Sequence, residues 1–234
     1  MRFKKFILAA IAAVIAFLVG FLSTIRSAPA QERFDLKVRN DFFAGFAGNA
    51  EALARGMKAC EAALAENPKQ AEALVWHGGG LLYQAGGAFR SGDQQKGMEM
   101  WTRGLQEMKT AVELEPDSVG VRIPRGASLL GVSRFVPPEM AKPLLADGLA
   151  DYEHTYELQK PMFAELGTHP RGELLFGLAE GYSRFGDEAK ARQYFELIKH
   201  DLPDTAYAKR ADLWMETKSL PANQTQCVGC HTGK

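Results

Sequence analysis

Charge of a single sign is the first thing this sequence lacks: across 234 residues, Lys and Arg together number 28, and Asp and Glu together also number 28. A balanced chain has no summed field with which to hold a nucleic-acid backbone or an anionic membrane surface, so no nucleic-acid partner is expected and any partner is recognised locally. Cysteine is scarce, at three residues. Three thiols cannot all pair within one chain, so they do not form a closed disulfide framework. Long apolar runs are limited to one, at residues 6–22, and no later segment matches it. The phosphate-cradling Gly-x-x-x-x-Gly-Lys, the metal-binding His-Glu-x-x-His and a Ser-His-Asp order are missing too. Nothing therefore points to hydrolysis or nucleotide chemistry, and the chain reads as a non-enzyme. Acidic residues such as Glu113 and Glu115 read as a solvated face. The remainder is ordinary globular composition, 46% hydrophobic and 24% charged, which excludes disorder and suffices for a core.

What is present begins at the N-terminus. Arg2, Lys4 and Lys5 precede the apolar run, and Ser27-Ala28-Pro29-Ala30 ends in an Ala-x-Ala pattern before Gln31. Basic, apolar and small-residue regions in that order read as a secretion signal over residues 1–30. The run is also about as long as the shortest spanning helices, roughly 17 residues, so a retained membrane anchor through residues 6–22 is the competing reading. Either way the rest of the chain is expected outside the cytoplasm, in or facing a bacterial periplasm, because no second apolar segment returns it.

The densest chemistry is Cys227-Val228-Gly229-Cys230-His231. Two thiols separated by two residues can each bond a vinyl-derived carbon of one porphyrin, and a His directly after the second Cys is placed to coordinate the iron. His is rare here, 5 of 234 residues, so a His at that place arises by composition roughly one time in fifty. A redox disulfide of the thioredoxin kind would follow a strand in a βαβ pattern, which the chain lacks, and zinc would need a second ligand pair. The motif resembles the haem-attachment motif of c-type cytochromes. That resemblance covers the motif alone and implies one covalent haem c, held by Cys227 and Cys230 with His231 as axial ligand. Small cytochrome domains carry the motif early, with a distal Met many residues later. Here only Thr232, Gly233 and Lys234 follow, so a distal ligand is expected from upstream, from a partner or from solvent. His77, His154, His169 and His200, and methionines that include Met108, Met140, Met162 and Met215, are candidates among which the sequence does not choose. Residues 219–226, polar and containing Pro221, read as a linker.

Between these ends the chain reads as helical repeats. Leu175, Leu178, Ala179, Tyr182, Gly186, Ala191, Phe195 and Pro203 fall at positions that resemble the tetratricopeptide pattern, a helix-turn-helix unit of about 34 residues, with Gly186-Asp187 as its turn. A further copy starts at Ala71, with Gly78 at the small position, Leu81 at the aromatic one and His77 where Leu is usual. Gly56, Cys60, Ala63, Leu64 and Asn67-Pro68 match the helix before it, which assigns Cys60 to the core as a buried, inert thiol. Residues 86–93 read as an inserted Gly-rich loop, residues 96–114 as a helix, 119–132 as the next with Gly126 at its small position, and Pro137-Pro138 as a break before a long helix over 139–160. Residues 204–218 read as a closing helix with an apolar face of Ala206, Ala208, Leu213 and Trp214.

The expected fold is therefore all-α. It is a tetratricopeptide-like solenoid over residues 31–218, followed by a linker and haem-binding tail over 219–234. The resemblance implies that the repeats bind a protein partner. The expected function is an exported mono-haem protein that transfers electrons through partners docked on the repeats. The alternative is an adaptor or assembly scaffold whose Cys-x-x-Cys-His tail is structural, regulatory, or a disulfide or metal site.

Overall fold

The computed structural model describes residues 33–220, and these are all-helical, with no strand among them. Among the described residues nine α-helices follow one another: α1 Asp35–Phe46, α2 Ala50–Glu66, α3 Ala71–Arg90, α4 Gln94–Leu114, α5 Val119–Val132, α6 Pro138–Gln159, α7 Thr168–Phe185, α8 Glu188–Asp201 and α9 Ala206–Thr217, with a 3-10 turn at Lys160–Glu165. Helices α1–α8 pack mainly as consecutive pairs, α1 with α2 through α7 with α8, and α9 lies on α8. Secondary contacts join α3 to α5, α2 to α3 and α6 to α7. Each pair thus rests on the next.

The same local chemistry makes three of the four hairpin turns. Gly48, Gly92 and Gly186 have φ of 106°, 87° and 92°, a region that costs glycine little and ends the preceding helix. The residue after each glycine caps the next helix. Asn49 Oδ1 accepts the amide of Ala52, Asp93 Oδ1 that of Lys96, and Asp187 Oδ1 that of Lys190. Gly186-Asp187 is the turn that the repeat pattern predicts. The α5–α6 turn has no such pair and instead enters α6 through Pro137-Pro138, with Pro at the first helical position, where its missing N–H costs nothing.

Glycines also set the distance between paired helices. A Cβ placed on Gly78 would stand 2.7 Å from the Gly104 carbonyl oxygen, and one placed on Gly104 would stand 2.7 Å from that of Gly78. Gly126 and Gly148 repeat the arrangement between α5 and α6, at 3.1 and 3.2 Å. Across these crossings the core forms two clusters. One runs from Phe34 through Trp76 and Met108 to Leu129 and Leu144, and the other from Leu130 and Leu145 through Phe195 to Trp214. Helices α5 and α6 contribute to both through adjacent residues, Leu129 with Leu130 and Leu144 with Leu145.

Glu72 fixes how the pairs align. Its Oε2 accepts the backbone N–H of Phe34 at 2.8 Å and of Asp35 at 3.3 Å, so a carboxylate in the first turn of α3 caps the start of α1. At the other end Arg184, late in α7, donates to Ser133 Oγ at 2.7 Å and to the Leu130 carbonyl at 2.8 Å, late in α5. The first helices of successive pairs therefore run in parallel, with the hairpin turns gathered at one edge.

Two expectations are corrected. The Gly-rich loop over 86–93 is mostly helix: α3 continues to Arg90, and the turn is confined to residues 91–93. Two glycines cost a helix interior about 1 kcal/mol each. The Phe89 ring, laid directly against Gly97 of α4, supplies the tertiary contact that overrides them. The closing helix buries Tyr207, Ala208, Ala211 and Trp214, while Ala206 is exposed and Leu213 half-buried. Trp214 stacks on Phe195 with centroids 4.6 Å apart, and its indole N–H donates to Ser183 Oγ at 2.8 Å.

The crossing of α3 and α4 generates the first prediction. Gly104→Ala is expected to lower unfolding stability by about 1–3 kcal/mol in urea titration, because the new methyl meets backbone rather than a movable side chain. The same substitution at Gly131, with nothing within 4 Å, is expected to stabilise or leave stability unchanged.

Candidate functional site

Cys227, Cys230 and His231 lie outside the described residues, as do the N-terminal segment of residues 1–30 and most of the linker. What the described residues fix is the root of the tail. Leu220 packs against the second core cluster together with Phe185 and Met215. Lys218 Nζ lies 3.7 Å from Glu188 Oε1 and 4.6 Å from the Trp214 ring centroid. The chain therefore leaves the body at the hairpin-turn edge, beside the start of α8. No described helix is long and apolar enough to cross a membrane.

The upstream histidines and the four named methionines divide by accessibility and place. His77 is buried, with Nδ1 2.6 Å from Glu107 Oε2 and Nε2 3.8 Å from Glu61 Oε1. Met108 is buried too, its side chain packed against Gly78 at the α3–α4 crossing. His154 Nε2 lies 2.7 Å from Asp117 Oδ1, and His169 Nδ1 lies 3.2 Å from the Tyr207 hydroxyl, which itself donates to Glu173. His200 is exposed, 2.6 Å from Asp201. His169 begins α7 and His200 ends α8, so both lie at the edge opposite the turns. Met162 is exposed in the 3-10 turn after α6, also away from the turn edge. Met140, in the first turn of α6, and Met215, on α9 near Lys218, remain at the edge where the tail departs.

The repeat pattern did not anticipate the arrangement around His77. A His stands where a Leu would suffice because Glu107, reaching from α4, accepts its Nδ1–H. Glu107 Oε1 also accepts Arg103 Nε–H at 2.8 Å, which ties the buried pair to an exposed guanidinium. Local signals were present in the i,i+4 pair Arg103 and Glu107 and in a His on an apolar helix, but nothing in the sequence joins them across 30 residues. Cys60 shares this neighbourhood. Burial, and next the charges of Glu107 and Glu61, push its thiol up to about 12, so at neutral pH it stays protonated. This cluster joins a buried imidazole to an inert thiol, and no group of His, Cys, Asp or Glu among the described residues is arranged to hold a metal ion.

Two other polar networks tie neighbouring helices. Asp151, fully buried on α6, accepts Arg122 Nη1 at 2.8 Å, Arg125 Nε at 2.5 Å and Arg125 Nη2 at 3.1 Å, all from α5. Glu180 on α7 takes both guanidinium nitrogens of Arg134 from the α5–α6 turn, at 2.7 and 2.9 Å. Every acidic group in these networks already faces a cation, so they are joints between helices and leave no base or nucleophile in a cleft.

No family model, no curated protein and no solved structure matches the chain.

Two outcomes follow for the buried cluster. With Cys227 and Cys230 replaced by Ala, Cys60 is the only thiol; it should resist Ellman's reagent at pH 8 in the folded protein and react fully in urea. Rapid labelling of the folded protein would show that the site opens. Glu107→Ala is expected to cost about 1–3 kcal/mol by leaving His77 unpaired, and His77→Leu in that background to recover much of the loss, both read from urea melts.

Proposed function

We propose that this protein is an exported, mono-haem c-type electron carrier built on a tetratricopeptide-like scaffold. Its haem is bonded to Cys227 and Cys230 and coordinated by His231. The observation that carries the proposal is the Cys-x-x-Cys-His motif itself, in a chain whose first thirty residues read as an export signal. Covalent haem attachment needs both thiols on one porphyrin and export to the compartment where it takes place, and the sequence supplies both.

The helical body supports the scaffold half of the reading. Gly78 with Gly104 and Gly126 with Gly148 occupy the small positions of paired repeat helices, and Ala179 and Ala191, both fully buried, stand at the corresponding places of the last pair. Small residues recur there while hairpin lengths vary, as a repeat with insertions requires. In this reading the stacked pairs bind a redox partner and the haem exchanges electrons with it. The body supplies recognition, and the tail supplies chemistry.

A second reading keeps the scaffold and drops the redox role. Phe46 and Tyr83, each more than a third exposed with ring centroids 5.2 Å apart, favour docking of a partner on α1 and α3 whatever the tail carries. One experiment separates the two. Protein exported from cells able to mature c-type haem is run on a denaturing gel, stained for haem, and examined as the reduced pyridine haemochrome. Retained stain with a c-type spectrum is expected, and Cys227→Ala with Cys230→Ala should abolish it without changing the far-ultraviolet circular dichroism. An unstained wild-type band overturns the carrier and leaves the adaptor.

A further inference from the structure

Two glycines of α3 serve no helix crossing. Gly86 and Gly87 lie beyond Gly78, and a Cβ on either would meet only the guanidinium of Arg90, at 3.4 and 4.0 Å. Glycine weakens a helix interior, so neither spacing nor stability accounts for this pair. Their effect is to leave the helix backbone bare. Tyr83, Gly86, Gly87 and Arg90 follow one another at helical spacing on one face of α3, and the Phe46 ring of α1 stands beside Tyr83 with centroids 5.2 Å apart. Both rings are more than a third exposed. The result is a trough with a glycine floor, an aromatic wall at one end and a guanidinium at the other.

The turn between α5 and α6 lies alongside. The Ser128 hydroxyl rests against Gly79 and the Glu72 carboxylate against Gly120, so the parallel helices α3 and α5 keep a fixed register. Continued toward the turns, that register brings the end of α5 level with Tyr83 and the turn after it level with Gly86 and Gly87. The turn reads Phe135-Val136-Pro137-Pro138-Glu139. Val136 packs against the first core cluster, as Phe89 does from the end of α3. Phe135 is 85% exposed, the most of any large hydrophobic residue described, so it is not seated in the trough beside it. A bare phenyl ring followed by two exposed prolines is an unfavourable surface to leave in water.

Trough and turn fit one another in chemistry. Pro137 has φ −57° and ψ 153°, the polyproline conformation, so the segment is ordered before it meets anything and has little entropy to lose on docking. Aromatic-lined grooves accept segments of this form. The charges agree as well. Glu139 follows the prolines and Arg90 closes the trough, and neither has an ionic partner among the described residues. Because donor and acceptor lie side by side at one level of the same chain, a second copy related by a two-fold axis between them faces each turn to the other's trough.

We infer that two copies of this chain pair through this edge, the Phe135–Pro138 turn of each seated in the trough between Tyr83 and Arg90 of the other, with Glu139 facing Arg90 across the interface. The inference rests on the docking face of the second reading above and names a second copy as its occupant. It holds with or without haem on the tail.

The test is sedimentation velocity of the exported full chain over a range of concentrations, with Phe135→Ser and Gly87→Gln as variants. Gly87→Gln puts a better helix former where only Arg90 stands, so its melting temperature is expected to hold or rise while the trough is filled. The wild type is expected to sediment as two chains and each variant as one, with unchanged circular dichroism. Mixing the two variants leaves one turn facing one intact trough and should recover part of the dimer. A monomeric wild type, a dimer that persists in either variant, no recovery on mixing, or a mass that climbs past two chains overturns the pairing. Titration of a synthetic peptide of residues 133–141 separates that failure from failure of the face itself. A monomeric wild type that binds the peptide, and loses it in Gly87→Gln, keeps the docking face and gives it to another protein; one that does not bind loses the face as well.

Discussion

Backbone-to-backbone contact at the glycine crossings is the constraint on which the rest of the helical body depends. With a carbonyl of each helix filling the space where the partner's Cβ would be, Gly78 and Gly104 hold α3 and α4 closer than any other residue pair would permit. At that separation Leu81 and Leu82 of α3 pack against Gly104, and Met108 of α4 packs against Gly78. Gly126 and Gly148 impose the same spacing on α5 and α6, and there the Tyr152 ring lies across Gly126 in place of a side chain. Everything that stacks on these pairs inherits their spacing.

Apolar packing fixes separation but is poor at fixing register, and here buried charge adds it. Asp151 accepts three guanidinium hydrogen bonds from two arginines a turn apart on α5, a geometry that a slide of α6 by one turn would destroy. Removing one partner of such a pair costs about 3–5 kcal/mol, whereas hydrophobic replacement of the whole set need not. The network therefore bears on alignment more than on net stability. The Glu180–Arg134 pair does the same between one hairpin and the next, and Glu72 does so for α1 against α3.

How far the sequence could be read depended on how local each signal was. Helix boundaries near Val119, Pro138 and the Gly186-Asp187 turn were legible, because capping and turn chemistry act over two to four residues. Cys60 and the Leu175–Leu178–Tyr182 face were legible from periodicity, and all are buried. The helical stretch up to Arg90 was not, since only the Phe89 ring on Gly97 keeps Gly86 and Gly87 helical, and that contact exists only after the hairpin closes. The partners of His77 and Asp151 were out of reach for the same reason, standing 26 to 30 residues away. At the candidate site the asymmetry is sharper. The Cys-x-x-Cys-His unit is the most local signal of all, while the root of its tail, beside Glu188 and Phe185, is set by helices that meet only in the folded chain.

The hairpins also differ in how far they extend past their crossings. Helix α3 continues about 18 Å beyond Gly78, whereas α7 ends about 9 Å beyond Ala179. Since the contact that sets the separation of α3 and α4 lies at Gly78 and Gly104, helical turns can be added or removed at the turn end of that pair without disturbing the crossing. That end of α3 and α4 is where such a chain can diversify at little energetic risk. The turn ends of α5 and α7, joined through Arg134, Glu180 and Arg184, and the start of α1, held by Glu72, have no such freedom. A protein organised this way can acquire new recognition surfaces by lengthening hairpins, one pair at a time, while its core goes on folding as before.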